Sequence, residues 1–147
     1  MSKKILRLKI PMGNQDVSVC LTRKAFAKEM LKLGASESNT TMGKHGCCMA
    51  FEKAGEDDRY VIGLDADIEK YTTLGIKALL VHELSHLVTY HMEFFGFRCD
   101  EYRATLTQQL YIDIIPFLDN FIDPYTVTEH ESTEWKISGD HAFDIEN

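Results

Sequence analysis

The run KALLVHELSHLVTYHM, residues 77–92, constrains this chain more than any other stretch. It is apolar enough to be a core helix, yet it carries histidines at 82 and 86 with Glu83 directly after the first. On a helix turning about 100° per residue, with His82 at zero, His86 falls at about 40° on the same stripe and Glu83 at about 100°. Ile76, Leu80, Leu84 and Leu87 spread over about 120–200°, and Val81 and Val88 lie near 240–260°. The helix therefore has a broad core face, and the histidine pair runs along its margin.

Two neutral imidazoles one turn apart can converge on a cation. A carboxylate beside them, itself off the metal, is placed to take a proton from water that the cation activates. The bland reading is two incidental histidines on an amphipathic helix. A third protein ligand has several candidates. His91 falls at about 180°, opposite His82, and Glu93 stands near the helix end. Asp100 and Glu101 follow Gly96, which marks a break, and open the next helix. Either acid there would also simply complement the helix dipole. Tyr90, at about 80°, is a candidate outer-sphere group or oxyanion donor. Tyr102 and His45 are further polar neighbours to be placed.

Around this helix the periodicity changes. KILRLKI (4–10) alternates apolar and basic residues and predicts a strand; GNQD predicts a turn, and VSVCL (17–21) a second strand of a hairpin. Thr22 is placed to cap a helix through RKAFAKEMLKL, which Gly34 would stop. The polar stretch ASESNTTMGKHG predicts a loop. CCMAFEK and RYVIGLD, separated by AGEDD, predict a second hairpin. The motif helix is expected over 73–92 and a further helix over 100–121, with Pro116 expected to kink or end it. The order gives an α+β fold: a small, mainly antiparallel sheet packed on the motif helix and a following helix.

Charge and composition narrow the partners. The net charge is −7, and residues 123–147 carry seven acidic side chains against one lysine, which leaves residues 1–122 at −1. With no basic stripe, nucleic acid is a poor partner. No run approaches the ~20 apolar residues of a membrane span. The first residues, MSKKILRLKIPMG, lack the unbroken apolar core of a secretion signal. The cysteines Cys20, Cys47, Cys48 and Cys99 are then expected as thiols, and the adjacent pair should face opposite sides of a strand. A metal site of His45 with these thiols is the minor alternative, because no CxxC spacing supports it. The domain is expected over 1–122. The acidic tail 123–147 contains Trp135 and Phe143, so it reads either as a loosely ordered tail or as a segment that docks on its own domain or on a partner chain.

HELSH (82–86) followed by DEYRATLTQQLY (100–111) resembles the zincin metallopeptidases with a glutamate third ligand. The likeness is greatest to small zincin-like proteins encoded in bacteriophages and prophages, and it spans about residues 45–121, including the hairpin just upstream. The resemblance implies a Zn2+ ion held by His82, His86 and Glu101, with Glu83 as the catalytic base. It implies hydrolysis of a peptide or protein substrate lying along an edge strand, in the cytoplasm of a bacterial host or within a phage particle. Two departures stand out: His86 and Glu101 are closer in sequence than in larger zincins, and Thr105 stands where an aspartate four residues after Glu101 would orient a ligand. The competing expectation is a zincin-fold structural or binding protein, such as a particle component assembled through its acidic tail, whose metal site is structural or vestigial.

Overall fold

The computed structural model describes residues 4–42, 45–51, 59–66 and 72–122. Its four strands are β1 (Ile5–Ile10), β2 (Gln15–Cys20), β3 (Gly46–Phe51) and β4 (Arg59–Leu64); its three α-helices are α1 (Arg23–Lys32), α2 (Thr73–Phe95) and α3 (Asp100–Phe121). The expected turn at 54–58, most of the loop before α2 and the acidic tail lie outside the described residues.

The expected α+β class is borne out, and so are both hairpin pairings. β1 pairs with β2 antiparallel, from Ile5↔Cys20 to Ile10↔Gln15, and β3 pairs with β4 antiparallel, from Gly46↔Leu64 to Phe51↔Arg59. The two hairpins join through a parallel contact between β2 and β4, which gives the order β1-β2-β4-β3. β4 is therefore interior, and its run from Tyr60 to Leu64 is buried throughout. That explains why RYVIGL shows no polar alternation: both of its faces are covered. β3 is left at the edge.

Alternation along the strands sorts side chains into two cores. Leu6, Leu8, Val17, Val19, Tyr60, Ile62 and Leu64 face α2 and α3, where they meet Leu80, Leu84, Leu87, Leu110 and Ile114. The opposite face packs Cys20, Val61, Cys47 and Met49 under Phe26 and Met30 of α1. Gly63 is what lets α1 come down: a Cβ there would lie 2.6 Å from Phe26 Cδ1. Cys47 and Cys48 do face opposite sides, as a strand requires.

The helix ends follow from local chemistry. Thr22 and Thr72 cap α1 and α2, their hydroxyls accepting from the N–H of Ala25 and Gly75 at 3.0 Å. α2 continues past the expected residue 92 to Phe95, and Gly96 closes it in the left-handed region at φ 70°. Pro116 does not end α3. Pro116 and Ile112, the residue whose carbonyl loses its helical donor, are both exposed, so the missing bond falls on the solvent side.

One ion pair anchors the α1 face. Glu29 is buried, and its carboxylate accepts from Arg7 Nη2 at 2.7 Å and from the Ser18 hydroxyl. Burial pushes the Glu29 pKa up, but the Arg7 and Ser18 hydrogen bonds outweigh it and hold the carboxyl below its usual value of 4.5. A carboxyl with a depressed folded pKa adds stability above its unfolded pKa and loses it as pH falls through the folded one. Glu29→Gln is expected to cost about 2 kcal/mol in urea unfolding at neutral pH. The same variant should flatten the loss of stability below about pH 4.5.

Candidate metal centre

α2 is held against the sheet by its apolar face, which fixes the direction in which its margin points. His82 and His86 are exposed, while Glu83 between them is buried to 3% exposure. The Nε2 atoms of the two histidines are 3.2 Å apart, with the ring centroids 4.9 Å apart. Two nitrogens each about 2.05 Å from one tetrahedral zinc would lie about 3.3 Å apart, so the spacing fits shared coordination. One ligand atom from each of His82, Glu83 and His86 falls within 4.8 Å of the others, and the group is able to hold a metal ion.

Glu83 points under the edge of the sheet. A Cβ on Gly46 would come within 3.3 Å of Glu83 Oε2, 3.2 Å of Leu79 Cδ2 and 3.0 Å of the Gly63 carbonyl oxygen. Glycine at the first position of β3 thus makes room for the carboxylate. Burial pushes the Glu83 pKa up to about 6. Cys48, on the same face of β3 as Gly46, has its thiol pushed up by burial and then by the Glu83 charge. The Tyr90 phenol is raised by burial, then by Cys48 and Glu83. The Glu83 charge therefore acts on both Cys48 and Tyr90. The Tyr90 ring stacks alongside His86 at a centroid distance of 6.4 Å. Sequence reasoning missed Gly46 and Cys48, because nothing in the linear order says which strand runs beneath the helix.

The remaining candidates fall elsewhere. Glu101 is exposed in the first turn of α3, where the Thr105 hydroxyl approaches its Oε1 at 3.5 Å; it is not part of the His82–Glu83–His86 group. Asp100 lines a groove of about 470 Å³ between α2 and α3, shared with Val81, Arg103 and Tyr111. His91 is fully buried, with Nδ1 2.6 Å from Gln15 Oε1 and Nε2 2.6 Å from the Tyr102 hydroxyl. Both ring nitrogens are occupied, so His91 is no ligand. Tyr102, a possible outer-sphere group from the sequence, hydrogen-bonds to His91 and stacks on it at 5.7 Å. Asp100 and Glu101 stand in the first turn of α3, where an acid suits the helix dipole.

The Gln15–His91–Tyr102 chain ties β2, α2 and α3 together behind the site. Burial lowers the His91 pKa from 6.5, so the ring is neutral in the fold. Burial also raises the Tyr102 pKa, which keeps its O–H protonated; it donates to Nε2, and Nδ1–H donates to Gln15. A group with a depressed folded pKa stabilises the fold above its unfolded value. Stability is thus expected to fall as pH drops below about 6.5, and His91→Gln should remove that slope in a pH series of denaturant melts. A slope unchanged in the variant would mean that His91 is already charged in the fold.

Compared with protein-family models, with curated proteins and with solved structures, the chain finds no match. Among the described residues, no helix is long and apolar enough to cross a membrane.

Proposed function

We propose that this chain is a zinc-dependent metallopeptidase of the zincin kind, with Glu83 as its general base. The observation that carries the reading is the pairing of imidazole nitrogens 3.2 Å apart with a buried carboxylate in the same cluster. A purely structural site has no use for Glu83 in that place. His82 and His86 would hold the ion. Glu101 as third ligand rests on the sequence resemblance, and Asp100 beside the α2–α3 groove is the other carboxylate in the first turn of α3.

Zinc, when bound, lowers the pKa of a coordinated water toward neutrality and polarises a carbonyl. The chain's own part is proton handling and placement. Glu83, held near pKa 6 by burial, is poised to accept a proton from the attacking water and to pass it to the leaving amine. Among the described residues β3 is an edge strand, and strand addition there would lay an extended peptide beside Glu83.

A second reading, a zincin-fold binding or structural protein such as a phage particle component, draws on one observation: Glu101 stands apart from the histidine pair. Two protein imidazoles alone make a weak site. The discriminating experiment is Glu83→Gln. The peptidase reading expects zinc binding to persist while hydrolysis of a denatured, fluorescently quenched protein drops about 10²–10⁴-fold. Hydrolysis that survives the substitution, or its complete absence from zinc-loaded intact protein, would overturn the peptidase reading.

A further inference from the structure

The histidine stripe of α2 is flanked on one side by Glu83 and on the other by a polar crossing from α3. At about 100° per residue with His82 at zero, Thr89 falls at about 340°, on the flank away from Glu83. The Thr89 hydroxyl donates to the Ser85 carbonyl, one turn back, at 2.9 Å. The same hydroxyl accepts from Arg103 Nη1 at 2.8 Å. Arg103 is itself fixed within α3. Its carbonyl accepts from the Thr107 hydroxyl at 2.7 Å, and its N–H donates to the Cys99 carbonyl at 3.0 Å. A chain of donors thus runs from the start of α3 to Ser85, the residue directly before His86.

This chain does more than ordinary helix packing does. A guanidinium donor is charged, so it makes a stronger bond to the hydroxyl than a neutral donor and strengthens the hydroxyl's own donation. A threonine hydroxyl that bonds the carbonyl four residues back acts on the path of the helix. Here that carbonyl belongs to the turn of α2 that carries His86. At the other end of the chain, Asp100 and Glu101 open the turn of α3 that holds Arg103. Asp100 and Arg103 also share the lining of the α2–α3 groove with Val81, the neighbour of His82. We propose that Arg103, acting through Thr89, is a positioning residue of the metal centre: it locks the first turn of α3, with its two acids, against the turn of α2 that carries His86. The inference rests on the metal-holding part of the proposed function and adds how the two helices are kept in register around the ion. Arg103 and Thr89 position the ligands and take no part in the chemistry.

The test uses the full chain and four variants: Thr89→Val, Arg103→Met, the two combined, and Thr89→Ser, which keeps the hydroxyl. Zinc affinity is read by competition with a chromophoric chelator. Ligand geometry is read from the visible absorption of the cobalt-loaded protein. Urea melts report folding separately. Zinc Kd is expected to rise about tenfold in Thr89→Val and in Arg103→Met, and to rise no further in the double variant. The cobalt spectrum should change in those three and stay that of intact protein in Thr89→Ser, with zinc affinity also retained. Thr89→Val and Arg103→Met break the same chain, so either one that folds decides the matter. Intact zinc affinity and an intact cobalt spectrum in a folded variant, even one with a lower urea midpoint, would make the chain merely structural and overturn the inference. Losses that multiply in the double variant, or a Thr89→Ser protein as impaired as Thr89→Val, would overturn it too. If intact protein binds neither ion, the metal centre fails and the inference fails with it. If the ions bind and the variants behave as expected but no peptide is cut, the positioning role stands and the peptidase reading alone falls.

Discussion

Everything at the candidate centre depends on burying one carboxylate between a helix and the edge of a sheet. Glu83 faces inward because the apolar residues of α2 around it, Leu80, Leu84 and Leu87, are pinned in the core. That leaves His82 and His86 on the rim. Gly46 provides the clearance: any side chain there would press on the carboxylate and on the Gly63 carbonyl. An ionised carboxyl so placed is largely withdrawn from water, and its pKa climbs to about 6 in consequence. The fold tolerates this because stability comes from elsewhere, from two apolar layers on a sheet whose central strand is covered on both sides.

The two polar clusters on α2 illustrate how environment separates like residues. His91 is one helix with His82 and His86, yet it faces the opposite way and is fully satisfied by Gln15 and Tyr102. It fixes the packing of α3 on α2 and β2. The rim histidines are exposed and have each other's nitrogens for close neighbours. A core histidine with both nitrogens engaged is a brace; an exposed pair with converging nitrogens is able to hold a metal ion.

Much of this was legible in the sequence because it follows from short-range periods. The 3.6-residue repeat put the histidine pair on one stripe and His91 opposite, Thr22 and Gly96 marked helix ends, and alternation separated Cys47 from Cys48. What stayed hidden depends on contacts between distant segments. Nothing local distinguishes a parallel β2–β4 junction from a wholly antiparallel sheet. Nor does local order reveal that β3, with Gly46 and Cys48, runs beneath Glu83. Tyr102, next to Glu101 in the chain, is turned about 100° from it around α3 and meets His91, a contact between distant segments that local order does not show. Pro116 persists inside α3 because a missing hydrogen bond is tolerable on an exposed face, a fact that burial alone decides.

The central claim is that His82 and His86 share one ion. X-ray absorption at the zinc edge of the zinc-loaded protein tests it most directly. Two imidazole nitrogens at about 2.0–2.1 Å, reduced to one in His82→Ala, are the predicted result. A shell of oxygen alone, or of sulfur, with no change in that variant would contradict the account.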